Sequence, residues 1–324
     1  MFDAGKGAYR EVEVDLEVRR REVAADGVVT LTLADPTGAD LPDWTPGAHI
    51  DLMLAPGLVR QYSLCGDTAN RAEWQVGVLL DPDSRGGSQY VHDKLDAGVT
   101  VRVRGPRNHF PLVRSQKYVF IAGGIGITPI KAMIASAVAT GADWQLFYGG
   151  RSRSTMAYLD ELEQHGDRVS VAPHDVTGRL DLDSILGAPQ EDTLVYCCGP
   201  SGLLSAVEEA CENWPDGSLH IERFAAKAVE ANPEGDTEFV VECAQTGIDV
   251  VVAATQSIYD ALEQAGVDVI GSCMEGVCGT CECDIIRGLG DHRDSVLTDA
   301  EKAKNQTMMI CVSRSRSERL VLDI

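Results

Sequence analysis

The first third of the chain alternates apolar and polar residues along short segments. These segments are Val12–Val18, Val28–Leu33, Trp74–Leu80 and Val99–Val103. A period of two is typical of strands that bury one face. Turn-forming pairs such as Asp26-Gly27 and Pro56-Gly57 separate the segments. Several short strands with little helix predict a small antiparallel β-barrel over residues 1–113.

The pattern changes near residue 117, where short apolar runs begin to alternate with helix-like stretches. The apolar runs are Tyr118–Ala122, Trp144–Tyr148 and Thr193–Cys197. Pro129–Ala139 predicts a helix between the first two runs. Another helix is expected after Thr155, its candidate N-cap, with Met156, Leu159 and Leu162 on one face. Alternating strands and helices predict a parallel α/β sheet over residues 114–226.

Residues 227–236 are polar, contain a proline and a glycine, and predict a linker. Beyond them, Glu238–Cys243 and Ile248–Ala253 predict a hairpin. A helix with Ile258, Leu262 and Ala265 on one face follows, then a cysteine-rich loop.

Thr298 and Glu301 form a capping-box pattern that predicts a short helix before a last strand. This succession of elements is typical of a β-grasp ferredoxin fold over residues 237–324. The predicted fold class is therefore multidomain: an antiparallel β-barrel, an α/β domain with a parallel sheet, and a β-grasp domain.

Charge and hydropathy narrow the range of partners. The 324-residue chain has a formal net charge of −22, which argues against nucleic acid and anionic membranes. Acids exceed bases in every predicted domain, so the charge fits either a generally solvated surface or a docking face for a basic protein. No apolar run approaches the length of a membrane span, and Met1–Arg10 has no apolar signal core. We therefore expect a cytoplasmic protein.

Four cysteines near the C-terminus give the most specific chemical signal. Cys273, Cys278 and Cys281 are spaced C-x4-C-x2-C, and Cys311 follows as a fourth. This is the ligand spacing of plant-type [2Fe-2S] clusters. Glycines within the loop allow backbone N–H groups to point at sulfur. A zinc site is the alternative, but zinc normally takes a second C-x2-C pair, whereas Cys311 stands alone.

Two motifs in the predicted barrel are candidates for binding a phosphorylated ring system. The first motif ends a strand and contains Arg60, Tyr62, Ser63 and Leu64. The second precedes a predicted helix and contains Arg85, Gly86, Gly87 and Ser88. A helix N-terminus favours phosphate, and the position suits a terminal phosphate, which would favour FMN over FAD if the ring system is a flavin. Either motif alone is equally typical of an ordinary strand or turn.

Two glycine-containing turns in the α/β region are candidates for a nicotinamide nucleotide. One turn contains Gly124, Gly126 and Thr128, and the other contains Cys198, Gly199 and Pro200. Both follow strands, and open α/β sheets bind ligands at the carboxyl ends of their strands. Arg151 and Arg153 also follow a strand and suit an adenosine ribose or a 2′-phosphate, with a solvated arginine pair as the alternative.

These motifs, in this order, resemble the phthalate dioxygenase reductase family over essentially the whole chain. Proteins of that family join an FMN barrel, a ferredoxin-reductase-like NAD domain and a C-terminal [2Fe-2S] ferredoxin. The resemblance implies that Arg60, Tyr62 and Ser63 hold the flavin and that Gly87 and Ser88 take its phosphate. It also implies that Gly124 and Thr128 line the nicotinamide approach, that Cys198 lies near the nicotinamide ring, and that Phe224 packs against the isoalloxazine. An ordinary core aromatic is the alternative for Phe224.

The function that the resemblance implies is that of a reductase component. Such a protein takes a hydride from NAD(P)H onto FMN and passes single electrons through its cluster to a terminal oxygenase. The expected oxygenase is a Rieske-type enzyme that hydroxylates or demethylates aromatic compounds, with a cytochrome P450 as the alternative. NADH and NADPH both remain open as donors, and a monomer is expected. A different class of function is that of a non-enzymatic iron–sulfur electron carrier that has lost its flavin.

Overall fold

The computed structural model of the chain describes residues 11–82, 86–226 and 235–324. Arg85 and residues 227–234 of the predicted linker therefore lie outside the described residues. The chain divides into two units, Met1–Glu222 and Arg223–Ile324. The first unit contains an antiparallel and a parallel sheet, and the second contains a mixed sheet. The boundary between residues 113 and 114 remains a prediction.

A six-stranded antiparallel sheet forms the first part of unit one. Its strands are β1 (Val12–Ala25), β2 (Val28–Ala34), β3 (His49–Ala55), β4 (Leu58–Ser63), β5 (Trp74–Leu79) and β6 (Thr100–Arg107), with helix α1 (Gly87–Lys94) between the last two. The spatial order is β4-β3-β6-β1-β2-β5. A bridge between Leu64 and Val76 joins the two edge strands, so the sheet closes as the predicted barrel. Leu31, Ile50 and Trp74 belong to its buried core.

A five-stranded parallel sheet forms the second part of unit one. Its strands are β7 (Lys117–Gly123), β8 (Asp143–Gly150), β9 (Val169–Pro173), β10 (Thr193–Cys198) and β11 (Leu219–Glu222). The helices are α2 (Ile127–Thr140), α3 (Leu159–Leu162), α4 (His174–Thr177), α5 (Leu182–Leu186) and α6 (Ser201–Ala210). Neighbouring residues of β7 face two different cores, Phe120 packing with Met133 and Ile121 with Leu204. Both faces of the sheet are therefore covered, as parallel sheets require.

The strand order β11-β10-β7-β8-β9 contains a topological switch point. The chain leaves β7 to one side towards β8 and β9 and later returns on the other side as β10 and β11. The loops that follow β7 and β10 therefore diverge from adjacent strands. Open α/β sheets bind their ligands in the crevice at such a point.

Unit two has the β-grasp arrangement that the sequence predicts. Its strands are β12 (Phe239–Cys243), β13 (Ile248–Val252), β14 (Glu282–Arg287), β15 (Gly290–Asp291), β16 (Thr307–Met309), β17 (Arg314–Ser315) and β18 (Arg319–Leu322). Its helices are α7 (Ile258–Gln264) and α8 (Asp299–Lys304). The main sheet has the order β13-β12-β18-β14-β16, in which β12 and β18 are parallel. Val241, Leu262 and Leu320 lie in its core.

The local predictions of helix boundaries had mixed outcomes. The capping box is confirmed, because the Glu301 N–H donates to Thr298 Oγ1 and the Thr298 N–H donates to Glu301 Oε2. Thr155 does not cap a helix; it ends a 3-10 turn, and the next helix, α3, starts only after Tyr158. Ala265 is exposed, because α7 ends at Gln264 and Ala261 takes the buried position instead. Within the described ranges, no helix has the length and hydropathy to cross a membrane.

Candidate functional site

The two flavin motifs meet on the surface of the barrel. A Cβ atom on Gly87 would lie 2.3 Å from Cγ and 2.6 Å from Nε of Arg60, so the arginine lies directly over the first residue of α1. Only glycine allows this approach. The first N–H groups of an α-helix lack partners within the helix, so a cation and free donors converge here. The arrangement suits a phosphate monoester such as the one that ends FMN.

The remaining residues of these motifs line the same region. Gly86 has a φ of 85°, a left-handed conformation that turns the chain into α1. The Ser88 side chain is buried and its Oγ accepts a hydrogen bond from the Asp81 N–H at 3.1 Å. Tyr62 packs against the barrel core, whereas Leu64 is fully buried in it. The structure thus brings Arg60 of the first motif against Gly87 of the second, and the roles of both motifs in binding flavin remain predictions.

The two nicotinamide turns also touch each other. A Cβ atom on Gly126 would lie 2.2 Å from the carbonyl oxygen of Cys198, and one on Gly123 would lie 2.6 Å from Cδ of Pro200. The contact follows from the parallel pairing of β7 with β10, which sets Ala122 opposite Cys198. Backbone therefore forms the floor of the crevice at the switch point. Such a floor admits a flat ring and a pyrophosphate close to the main chain.

Ser63, Cys198 and Glu222 converge between the nicotinamide turns and β4, which carries the first flavin motif and is called the flavin strand below. Ser63 Oγ lies 3.4 Å from Glu222 Oε2, and Cys198 Sγ lies 3.9 Å from the same oxygen. The residues come from the carboxyl ends of β4, β10 and β11. The Ser63 hydroxyl and the Cys198 thiol therefore both contact the same carboxyl oxygen of Glu222, at the point where the flavin and nicotinamide candidates meet.

Burial sets the protonation of this group. It raises the pKa of Glu222 to about 8, so the carboxyl is largely neutral at pH 7. Burial also raises the pKa of the Cys198 thiol well above its ordinary value, and Glu222 adds to the effect. The group is uncharged and rich in exchangeable protons.

Glu222 received no role in the sequence analysis, although it stands two residues before Phe224. Its position in the sequence is the signal that could have identified it. Glu222 is an acidic residue at the carboxyl end of a strand, and the carboxyl ends of other strands in the same sheet carry candidate ligand residues. Ser63 and Glu222 are separated by 159 residues, so nothing local links them.

Arg151 and Arg153 lie beyond the end of β8 and are exposed. Arg153 is held by an ion pair with Glu163 at 2.5 Å. The Arg151 carbonyl accepts a hydrogen bond from the Asp175 N–H at 3.2 Å. Their position at the carboxyl edge fits a nucleotide, and their role remains a prediction. Phe224 is 43% exposed, and its role also remains a prediction.

The four cysteines of unit two lie close together. Cys273 contacts both Cys278 and Cys311, and Cys311 also contacts Cys281. The Glu275 N–H donates to Cys273 Sγ at 3.3 Å, as expected of a loop that surrounds sulfur. Among the described residues, no three or more His, Cys, Asp or Glu side chains are grouped so that they could hold a metal ion. Four thiolates, shared between two irons, hold a plant-type [2Fe-2S] cluster.

Glycines allow the cysteine loop to fold tightly. Gly276 has a φ of +67°, and a Cβ there would lie 2.5 Å from Cγ2 of Val312. Cys278, Cys281 and Cys311 are buried, whereas Cys273 is partly exposed. Cys283 lies on the exit strand β14 and is 9% exposed. Four converging thiols, three of them from a glycine-rich loop and the fourth from Cys311 after β16, fit an iron–sulfur cluster.

Known proteins share both the domains and their order. Residues 241–316 match the family described as 2Fe-2S iron-sulfur cluster binding domain, and residues 120–209 match the oxidoreductase NAD-binding domain. All four candidate ligands lie inside the first match. The site and the fold therefore define an oxidoreductase with a nicotinamide domain and an iron–sulfur domain.

Relatives align over nearly their full length. Phenoxybenzoate dioxygenase subunit beta of Ectopseudomonas oleovorans is 44% identical over 313 residues, covering 96% of this chain and 97% of that protein. Phthalate dioxygenase reductase of Burkholderia cepacia is 36% identical over 315 residues, covering 95% and 97%. The chain belongs to the phthalate dioxygenase reductase family. The expected reductase class and its cofactors, FMN, a [2Fe-2S] cluster and a nicotinamide nucleotide, are thereby confirmed.

Solved structures agree with this assignment. A phthalate dioxygenase reductase, described as a modular structure for electron transfer from pyridine nucleotides to [2Fe-2S], superimposes with a TM-score of 0.70 at 36% identity, covering 96% of this chain and 98% of that one. An intact type IV self-sufficient cytochrome P450 monooxygenase superimposes with a TM-score of 0.91 at 46% identity. The superposition covers 97% of this chain but only 41% of the longer P450 protein.

Proposed function

We propose that this protein accepts electrons from NAD(P)H and delivers them singly to a separate terminal oxygenase, with a Rieske-type oxygenase as the favoured partner. The observation that carries the proposal is the convergence of Ser63, Cys198 and Glu222 between the flavin motifs and the nicotinamide turns. Relatives of the whole chain, such as vanillate O-demethylase oxidoreductase of a Pseudomonas strain at 37% identity, bear the names of oxygenase systems.

The proposed roles of the residues follow from their positions. Arg60 and the first N–H groups of α1 hold the flavin phosphate, and Tyr62 and Ser63 lie against the ring. Gly124, Gly126 and Thr128, with Cys198, Gly199 and Pro200, form the floor for the nicotinamide and pyrophosphate. Arg151 and Arg153 face the adenosine end, and Phe224 covers the flavin. Cys273, Cys278, Cys281 and Cys311 hold the cluster.

Bound flavin supplies a carrier that takes two electrons as a hydride and releases them one at a time. The protein's part is positioning and protonation. The neutral Glu222 keeps negative charge away from the place where a hydride arrives, and Ser63 and Cys198 are held through its Oε2. Side-chain-free backbone at Gly126 lets the nicotinamide come close.

The proposal extends to organisation and location. We place the domains at residues 1–113, 114–226 and 237–324 with a linker at 227–236, and we infer a monomer. We infer a cytoplasmic location, because nicotinamide nucleotides are supplied there and because thiol ligands need a reducing compartment. All ten cysteines lie in the described part of the chain, and no two of them form a disulfide there.

An anaerobic titration of the purified protein with NADH and then NADPH tests the function. Flavin and iron–sulfur absorption that one nucleotide bleaches at low concentration supports the reductase and names its donor. Cluster absorption without flavin, unchanged by either nucleotide, contradicts the reductase and leaves an electron carrier.

A cytochrome P450 is the second candidate partner, and one observation favours it. The reductase part of the intact P450 monooxygenase is 46% identical to this chain, slightly more than the 44% of the phenoxybenzoate protein. Reconstitution with a Rieske oxygenase and with a P450, each as a separate protein, distinguishes the two. The partner that the reduced protein drives to substrate turnover at the higher kcat/KM is the one it serves.

A further inference from the structure

Tyr158 is a residue of the α/β part of unit one whose side chain reaches into the barrel. It precedes α3 with a φ of 63°, a left-handed conformation that is uncommon for a bulky residue. Its hydroxyl lies 2.9 Å from Oγ1 of Thr30 on β2 and 3.5 Å from Sγ of Cys65. A tyrosine held in a costly backbone conformation to meet two barrel residues indicates a constraint beyond local folding.

Lys131 of α2 reaches the same place. Its Nζ donates to the carbonyl oxygen of Cys65 at 3.0 Å and pairs with Oε1 of Glu161 at 2.9 Å. It also lies 5.3 Å from the centre of the Tyr158 ring, within cation–π range. Only 13% of the Lys131 side chain is exposed, so these contacts hold a largely buried cation. Two side chains from different elements of the α/β part thus converge on Cys65.

Cys65 lies two residues after Ser63, the last residue of the flavin strand β4. Its own N–H donates to the Gln75 carbonyl at 2.9 Å, which ties it to β5. Cys65 is therefore held by β5 on one side and, through Leu64, is joined to Ser63 at the end of β4, where Ser63 meets Glu222.

The Tyr158 hydroxyl also lies close to the nicotinamide turn. A Cβ on Gly77 of β5 would lie 2.6 Å from the Tyr158 hydroxyl and 2.8 Å from Cγ2 of Thr128. Thr128 belongs to the GGIGITP turn, and Lys131 stands one helical turn beyond it on α2. Tyr158 and Lys131 therefore join the flavin strand to the helix that carries the nicotinamide turn, without belonging to either motif.

We propose that Tyr158 and Lys131 are positioning residues that fix the distance between the flavin strand β4 and the nicotinamide turn, and so set the rate of hydride transfer. They contribute no atoms, protons or electrons: the hydride that the nicotinamide loses is the one that the flavin gains. The effect on rate is expected because a misplacement of about 1 Å in a reacting pair costs about a hundredfold. This inference rests on the proposed function.

The test compares Tyr158→Phe with the matched control Tyr118→Phe. Each variant loses one hydroxyl with two partners; that of Tyr118 donates to the Val113 carbonyl at 2.9 Å and accepts from the Ser115 N–H at 2.7 Å, outside the barrel strands. Flavin and cluster content are measured first, then the single-turnover rate of flavin reduction at saturating NADH, with and without deuterium at the transferred position.

We expect Tyr158→Phe to retain both cofactors and its affinity for NADH while flavin reduction slows about tenfold and its isotope effect becomes more dependent on temperature. Tyr118→Phe should keep the wild-type rate. Hydrogen exchange, which reports position without turnover, should quicken at the amides of Leu64 and Cys65 in Tyr158→Phe only. Thr30→Val, which removes one of the two partners of Tyr158, should show the same changes to a smaller degree and serves if Tyr158→Phe does not fold.

The opposite result is equally definite. A Tyr158→Phe or Thr30→Val protein that melts at a lower temperature but keeps the wild-type rate and isotope effect would show that the contact is only structural, and the inference would be wrong. A wild-type protein whose flavin neither nucleotide reduces would overturn the proposed function and this inference together.

Discussion

At the scale of single residues, Glu222 shows most clearly how burial creates a functional group. An exposed glutamate has a pKa of about 4.3, so it is charged at neutral pH. Burial near Cys198 raises the pKa of Glu222 to about 8. The same side chain is thereby converted into a neutral acid that accepts hydrogen bonds from Ser63 and Cys198.

The raised pKa of Glu222 predicts a pH dependence that Glu222→Gln should remove. As the pH rises through about 8, the wild-type carboxyl ionises, and its negative charge opposes the arrival of a hydride. We expect the rate of flavin reduction to fall above that pH in the wild type and to remain level in Glu222→Gln, which mimics the neutral acid. Stopped-flow reduction by NADH across this range measures both profiles.

The same shift has a consequence for stability, and its sign is fixed by linkage. The folded state holds the Glu222 proton up to about pH 8, whereas the unfolded chain releases it near pH 4. The free energy of unfolding therefore falls as the pH rises from about 4 to about 8, because only the folded state keeps the Glu222 proton in that range. Denaturant melts of wild type and Glu222→Gln should converge below about pH 4, separate progressively in favour of the variant as the pH rises to about 8, and differ most above that pH. Parallel curves at every pH would contradict the assigned pKa.

At the scale of secondary-structure elements, the packing of β4 against α1 forms the proposed phosphate site. Arg60 can lie over the start of the helix only because residue 87 has no side chain. The strand supplies the cation and the helix supplies the N–H groups. Neither element forms the site alone.

Gly87→Ala should therefore release the flavin without unfolding the barrel. The added methyl would displace the Arg60 side chain from the helix N-terminus, and we expect an at least tenfold weaker affinity for FMN. Flavin fluorescence during dialysis measures the loss. Gly202→Ala is the matched control, because its Cβ on α6 would meet no atom within 4 Å. Equal flavin retention in the two variants would contradict the phosphate site.

The elements also show where local patterns mislead. Thr155 is a residue type that favours the N-cap position. The helix nevertheless begins only after Tyr158, whose side chain contacts the barrel. Ala265 continues the apolar periodicity of α7, yet the helix has already ended. In both cases a tertiary contact or a helix end overrides a local preference.

At the scale of the whole molecule, the two units divide the chemistry between them. Unit one contains the flavin and nicotinamide candidates except Phe224, which follows the boundary, and unit two contains the four cysteines. The proposed two-electron input and one-electron output thus belong to two compact units of one chain. A defect in one part should leave the chemistry of the other intact.

Cys278→Ser tests this division. We expect NAD(P)H still to bleach the flavin, because unit one is unchanged, while electron delivery to a terminal oxygenase falls to background. Anaerobic absorption spectra and oxygenase turnover measure the two steps. Cys283→Ser is the control, since Cys283 lies on β14 outside the predicted ligand set. Loss of flavin reduction in Cys278→Ser would contradict the division of roles.

The sequence by itself determined the three-part fold and the motifs, because their chemistry depends on residues that are near neighbours in the chain. The spacing of Cys273, Cys278 and Cys281, the glycines of the phosphate and nicotinamide turns, and the capping box at Thr298 all impose local backbone geometry. Alternation likewise records the buried face at the start of β6, although it does not for β2, which is buried on both faces.

Only the tertiary structure decided which distant residues meet and what burial does to them. Glu222 and Ser63 are 159 residues apart, Tyr158 and Thr30 are 128 apart, and Lys131 and Cys65 are 66 apart. No local pattern records such pairs, because they arise where the carboxyl ends of β4, β10 and β11 converge and where α2 and α3 face the barrel. The neutral state of Glu222 has the same origin, since desolvation exists only once the chain has folded around the carboxyl.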